Sequence, residues 1–315
     1  MMSVELISYG EKRMENNTVN LIVDGSNIEH RMFWISKKTG LRQNEEGENT
    51  GCIYTFLLAF KNIVKTLKPD NIYVCWDKKL TWPSKNFRHE LTKDQYKGTR
   101  EKPVDIHEMY EQEPKIIDIL KSLGCKCIFP NVMEGDDIIS WLSHTLQGTN
   151  IIVSVDGDMC QLVNENTSIF RPDSKKRITV DNFEQEIGVK REHFKLYKAI
   201  MGDNSDNIEG LAGYGKVKSK KLAENWNNCG ATEEQKLIVE NNLKVLDLDI
   251  GYKYYPEEVP CYQKQLDEQK DKTCCIKEFQ KSCERYQLFN LSRNISEWYD
   301  AFASNRIANL INSLV

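Results

Sequence analysis

The sequence predicts an α/β fold built on a mainly parallel central sheet flanked by helices, and three observations carry that expectation. Three apolar, β-branched runs, VNLIVDG, NIYVCWD and IIVSVDGD, have the length of buried strands, and each closes on an acid: Asp24, Asp77, and Asp156 with Asp158. The stretches between them repeat apolar residues at three-four spacing, as helices do. Strands that alternate with helices pair in parallel under helical layers, so their carboxyl ends line up along one edge.

Each element follows from its own residues. After the first strand, Ile53, Phe56, Phe60, Ile63, Val64 and Leu67 mark a helix. The NIYVCWD strand leads into a segment from Lys78 to Lys102 that lacks core periodicity and reads as a mobile, substrate-facing element that orders on binding. Ile117, Leu120 and Leu123 mark the next helix, with Pro114 near its start and Gly124 at its end. KCIF, Lys126 to Phe129, is a fourth strand. MEGDDIISWLSHTL then reads as a helix through Ile138, Ile139 and Leu142, with Glu134, Asp136 and Asp137 in its first turn, where the helix dipole favours negative charge. The run NIIVSV follows as the next strand.

Composition bounds the function. A chain of 315 residues with 40% hydrophobic content is long enough for one large or two ordinary domains with a sizeable core. Its longest apolar runs, such as YTFLLAF, fall short of a membrane span, and the N-terminus lacks a signal-peptide core, so a cytoplasmic, non-membrane protein is expected. The ten cysteines are then reduced thiols, and their spacing lacks the paired C-x₂-C pattern of zinc sites. A net charge of −4 conceals segregation: Lys78 to Lys102 holds eight Lys or Arg against three acids, and KVKSKK puts four lysines into six residues. Clustered basic charge of this kind suits a polyanion.

The acids converge on the same edge. With GDNSDN they number nine: Asp24, Asp77, Glu134, Asp136, Asp137, Asp156, Asp158, Asp203 and Asp206. Two ionised carboxylates about 4 Å apart repel by roughly 4 kcal/mol near a protein surface, so such a gathering needs a counter-charge. Hard oxygen donors without a neighbouring His or Cys select Mg²⁺, with Mn²⁺ able to substitute. The donors exceed what one ion needs. A pair of ions stabilises both the entering and the leaving oxygen of an in-line displacement at phosphorus, which is the chemistry of phosphodiester hydrolysis.

At these residues the chain resembles the structure-specific 5′-nucleases, meaning flap endonucleases and the 5′-3′ exonuclease domain of bacterial DNA polymerase I, and most of all their free-standing bacteriophage members. The resemblance runs from Asn20 to Leu248, through DGSNIEHR, CWD, FRHEL with YKGTR, EGDD, VDGD and AIMGDNSDNIEGLAGYGKVKSKKL, in the family's order. It implies a PIN-like 5′-nuclease fold with a helical arch and a helix-hairpin-helix-type C-terminal helical region. On that likeness residues 1–18 are a flexible N-terminus, 19–200 the nuclease core with its arch at about 78–113, and 201–315 the DNA-binding region with C-terminal helices. NLKVLDLD is similar to the family's closing core helix.

The resemblance also implies roles. One metal falls to Asp24, Asp77, Glu134 and Asp136, a second to Asp156, Asp158 and Asp206, with Asp137 and Asp203 close by or acting through water. Lys97 and Arg100 would contact the scissile phosphate, with Arg88, Tyr96 and Arg31 at the family's other active-site positions. Gly210, Gly213 and Gly215 would let hairpin N–H groups approach duplex phosphates, aided by Lys216, Lys218, Lys220 and Lys221, with K⁺ bound at the hairpin. Tyr214 is expected as an exposed turn residue. The implied partner is DNA with a 5′ flap, nick or RNA primer, met by a monomer that could also meet replication proteins, in the host cytoplasm if phage-encoded. Three other readings stay open: a 5′-exonuclease that mainly removes RNA primers, with little flap endonuclease activity, or acts on RNA alone; a junction-binding protein without chemistry; and a metal-dependent phosphatase of small molecules.

Overall fold

Six strands form the central sheet: β1 (Val19–Asp24), β2 (Asn71–Cys75), β3 (Lys126–Ile128), β4 (Thr149–Val153), β5 (Thr167–Arg171) and β6 (Lys176–Ile178), in the spatial order β3-β2-β1-β4-β5-β6. All neighbours pair in parallel except β5 and β6, which pair antiparallel. The structure is a computed structural model that describes residues 18–40, 42–77, 86–99 and 105–303. The expected flexible N-terminus, the start of the arch from Lys78 and the site residue Arg100 lie outside the described residues, apart from Thr18.

Helices α1 (Gly25–Thr39), α2 (Gly51–Leu67), α3 (Phe87–Leu91), α4 (Ile106–Ser122), α5 (Gly135–Thr145), α6 (Phe183–Ile187), α7 (Phe194–Met201), α8 (Lys216–Glu224), α9 (Glu233–Leu246), α10 (Gly251–Tyr254), α11 (Glu258–Asp267), α12 (Ile276–Arg285), α13 (Phe289–Ser292) and α14 (Ile295–Phe302) follow in chain order. A small hairpin of β7 (Gly202–Asp203) and β8 (Ile208–Glu209) separates α7 from α8. Strand side chains alternate between two cores. Leu21, Val23, Val74, Ile151 and Val153 pack with α1, α2, α4 and the helices α12 to α14. Ile22, Tyr73, Cys75, Ile128 and Ile152 pack with α5, α6, α7 and α11. Both faces being covered is why these strands read as unbroken apolar runs.

The expected strands and helices are present, with three differences. Pro114 lies inside α4, not near its start. A proline in a helix interior costs about 3 kcal/mol. Contacts on the turns before it offset this: Met109 is buried, and Gln112 Oε1 accepts from the N–H groups of Cys52 and Ile53 at the start of α2. Residues 106–113, expected in the arch, therefore belong to a core helix. The second difference is the β5–β6 hairpin, for which the sequence offered no clear alternation.

The third is the segment after Leu248, which returns to the α/β body. Gln269 donates to Cys127 O and accepts from Cys127 N, and Gln265 does the same with Phe129. Two glutamines one helical turn apart thus meet Cys127 of β3 and Phe129 just past its end, and close that open edge as another strand would. Farther on, Phe279, Trp298 and Phe302 fill the core beside α2 and α4. Among the described residues no helix is long and apolar enough to cross a membrane, and the cysteines are free thiols.

Candidate active site

The strand order reverses between β1 and β4, and in open α/β sheets the crevice beyond the strands' carboxyl ends at such a reversal is where ligands bind. The DGSN motif stitches this crevice together. Asp24 ends β1 and caps α1, its Oδ1 accepting from Asn27 N at 3.0 Å. Ser26 Oγ accepts from Asp77 N at 2.8 Å, which fixes the exit of β2, and Asn27 Oδ1 accepts from Val155 N at 3.3 Å, which fixes the exit of β4. One four-residue turn thereby sets the spacing of three acid-bearing strand ends.

Around it the other acids close in. Ser154 Oγ donates to Asp24 Oδ2 at 2.8 Å, and Gly135 N, at the start of α5, donates to Asp77 Oδ1 at 2.7 Å. Burial, then the charge of Asp77 and that of Asp156, push the Asp24 carboxyl up to about 7. Burial and the charges of Asp24, Asp156 and Asp77 raise Asp136 well above the carboxylate range. Asp158 is raised to about 6, by burial first and then by Asp156, against the pull of Lys198. These shifts have one physical meaning: Asp24, Asp77 and Asp136 are buried and lie within reach of one another's charge with too little positive charge beside them.

The flanks of that space are neutralised by lysines. Lys97 Nζ bonds Glu134 Oε1 at 2.8 Å and Tyr96 OH donates to Glu134 Oε2 at 2.9 Å. Against burial, which pushes it up, Lys97 and Arg88 draw the Glu134 carboxyl down to about 2. On the other side Lys198 bridges Asp158 at 2.7 Å and Asp203 at 2.8 Å. Among the described residues, no group of three or more His, Cys, Asp or Glu side chains is disposed to hold a metal ion as it stands. Glu134, Asp158 and Asp203 point at ammonium groups instead.

Several expected site residues sit elsewhere than anticipated. Arg88 is 2% exposed and Asp137 0%. The guanidinium meets both oxygens of Asp137, at 2.9 and 2.7 Å, and its Nε donates to Val245 O, so neither group faces a substrate or an ion. Arg88, expected at an active-site position, and Asp137, expected close by the metal or acting through water, thus pair with each other in the interior. Tyr96, 4% exposed, packs with Ile208, Val245 and Leu246 and holds Glu134. The arch base from Phe87 to Tyr96 is thus clamped to the body, not loose. Asp206 is half-buried and its carbonyl accepts from Lys97 N at 2.9 Å. Arg31 lies half-buried on α1.

The expected duplex-binding residues form a separate surface. Gly215 caps α8, and Lys216, Lys218 and Lys221 are exposed on it, while Lys220 is half-buried with Glu224 4.0 Å away. Gly213 has φ +81 and open space around it. Gly210 differs: a Cβ there would strike the Met201 carbonyl, so its bareness serves chain packing, not phosphate approach. Tyr214 is half-buried against Leu211 and its neighbours, not an exposed turn residue. Sequence reasoning missed Lys198, whose signal was its place five residues before Asp203, and Ser26, Asn27 and Ser154, which flank acids it did select.

With this geometry in view, likeness to known proteins becomes informative. Residues 19–188 match the family described as 5′-3′ exonuclease, N-terminal resolvase-like domain. A 5′-3′ exonuclease of Mycoplasmopsis pulmonis is 31% identical over 210 residues, covering 65% of this chain and 66% of that protein. A 5′-3′ exonuclease of Buchnera aphidicola is 34% identical over 202 residues, covering 63% and 67%. The chain thus spans about two thirds of the length of these curated relatives. The D15 protein of bacteriophage T5, crystallised with metal ions, shares the fold with a TM-score of 0.62 at 20% identity, covering 84% of this chain and 98% of that one. The match extends over more than half of the sequence, and the chain belongs to the 5′-3′ exonuclease N-terminal resolvase-like family.

Proposed function

We propose that this chain is a divalent-cation-dependent 5′-nuclease that hydrolyses phosphodiester bonds at 5′ ends, flaps or RNA primers of branched or duplex DNA in replication or repair. The observation that carries the reading is the gathering of Asp24, Asp77, Asp136 and Asp156 at the sheet's reversal point, where burial first and the charges of Asp77 and Asp156 after it raise Asp24 to about 7. The residues fit Mg²⁺: every donor is an oxygen, the charge excess is negative, and an ion that keeps most of its waters needs only one or two carboxylates directly. Asp24, Asp77 and Asp136 would hold one ion and Asp156, with Asp158 and Asp203 once released by Lys198, a second. Bound there, the ions would supply the charge that stabilises the entering and leaving oxygens at phosphorus.

The chain's own residues then divide the work. Lys97, with its side chain 27% exposed beside Glu134, is placed to neutralise charge that grows on the phosphate oxygens. The buried Arg88–Asp137 pair and Tyr96 hold Glu134 and the start of α5 in position. Lys216, Lys218, Lys220 and Lys221, with the bare turn at Gly213 and Gly215, would bind duplex backbone without reading sequence, and that turn would be the K⁺ site. The relatives' names and the metal-bearing D15 crystals support the same reading.

Its test is incubation with a 5′-labelled flap, a nicked duplex and an RNA-primed duplex, in Mg²⁺ or in EDTA. Short 5′ products should appear only with Mg²⁺; undiminished cutting in EDTA, or none on any substrate, would overturn the proposal. Lys97→Ala should slow cleavage by about 100-fold while leaving duplex binding intact.

A further inference from the structure

The segment that follows α9 touches both halves of the site. Glu258, 1% exposed at the start of α11, accepts from Asn131 N at 2.8 Å and from Val132 N at 3.1 Å. Those amides belong to the loop that delivers Glu134 and Asp136, so one carboxylate fixes the loop from below. Seven residues earlier, Gly251 lies against Asp137: a Cβ at that position would overlap the Asp137 carboxylate, and only bare backbone lets the chain pass there. Between them, Tyr254 stacks on Phe87 with ring centroids 4.4 Å apart and planes at 9°, while the Arg88 guanidinium lies over the same ring at 4.6 Å. Phe87 is the first residue of α3, at the arch base.

We infer that Gly251–Glu258 is a brace of the catalytic site: through Tyr254 and Glu258 it sets the position of the arch base, which carries Lys97, relative to the loop that carries Glu134 and Asp136. The inference rests on the nuclease reading. The brace lies outside residues 19–188, the part that matches the family. Neither Glu258 nor Tyr254 touches the acids of the crevice; both are positioning residues. Their geometry is the kind that fixes an ion's ligands from behind, as buried partners do when they hold a ligand's loop or orient its side chain.

The test uses the full chain with Glu258→Gln, Tyr254→Ala and Tyr254→Phe, Mn²⁺ being the probe. Glu258→Gln keeps the shape but turns an amide NH₂ toward one of the two backbone donors. The inference predicts that it weakens Mn²⁺ binding to the DNA-free protein by about 10-fold or more and lowers the single-turnover cleavage rate alike, with the duplex Kd unchanged. Tyr254→Ala, at a side chain that is 42% exposed and so tolerant of change, should show a smaller loss in the same direction, and Tyr254→Phe should restore it. A segment that only adds stability would lower Tm and leave Mn²⁺ affinity at 20 °C and the rate as in the wild type, and that result would overturn the inference. Wild-type protein that binds Mn²⁺ yet cuts no 5′ end would sink the nuclease reading instead, while the Mn²⁺ affinities still judge the brace.

Discussion

The same three strands carry polar residues at both ends, and the two ends behave oppositely. At the amino ends Asn71, Asn20 and Asn150 stand side by side in register. Asn71 Nδ2 donates to Asn20 Oδ1 at 3.1 Å and Asn20 Nδ2 to Asn150 Oδ1 at 3.0 Å, and the remaining Asn150 donors reach Ser143 O and Leu146 O. An amide both donates and accepts, so a row of amides satisfies itself even where Asn20 and Asn150 are buried. At the carboxyl ends stand Asp77, Asp24 and Asp156, which only accept when ionised. The comparison teaches that the sheet satisfies its polar groups internally at one end and leaves the other, where the acids gather, short of positive charge.

Exchanging the two kinds of end is the strongest way to break the comparison. Asn20→Asp would place an acceptor-only charge 2% exposed against Asn150 Oδ1 and Gln147 O, and should cost about 3–5 kcal/mol or abolish folding, measured by urea denaturation. The reverse change, Asp24→Asn, keeps its oxygen for Asn27 N, offers its NH₂ to Ser154 Oγ, whose hydroxyl can turn to accept, and removes one repelling charge. It should stabilise metal-free protein at pH 8 by on the order of 3 kcal/mol, since Asp24 is the group raised to about 7. A fall in metal-free Tm on that substitution would contradict the account.

A gentler perturbation is pH. In the unfolded chain Asp24 ionises near its ordinary value of 3.8, whereas in the folded chain it keeps its proton until about 7. The folded state binds more protons between those values, so metal-free stability should decline as pH rises from about 4 to about 7. Glu134 acts with the opposite sign in a lower window: drawn down to about 2, it adds stability above its ordinary 4.5 that is lost as pH falls toward 2. Mg²⁺ at 100 times its Kd should restore about 2.7 kcal/mol at pH 8 and progressively less toward pH 5, as read from thermal unfolding. The smallest effect belongs to the end of the amide row, where Asn71→Ala should cost about 1 kcal/mol with no change in Mg²⁺ response.

Much of the carboxylate end was legible because its signals are local. An apolar run that stops on an acid marks both a strand and its exit, and the D-G-S-N, E-G-D-D and V-D-G-D turns sit where the sheet edge lies. What was illegible depended on partners far along the chain. Arg88 looked like one more cation in a lysine-rich stretch, yet Asp137, 49 positions away, buries it. Nothing local marked Gln265 and Gln269, because their partners Phe129 and Cys127, 136 and 142 positions away, are what make them edge caps. Short, charged β6 carried too few apolar residues to announce itself, and Pro114 signalled a helix start that the Gln112 cap on α2 overrides.

The central claim, that the carboxyl end of the sheet is built short of positive charge so as to take a divalent cation, is tested most directly by calorimetric titration of Mg²⁺ into metal-stripped wild-type protein and Asp24→Asn at pH 8. The account predicts saturable binding in the wild type, weakened by about 10-fold or more in the variant. Equal affinity in the two proteins, or no binding in either, would contradict it.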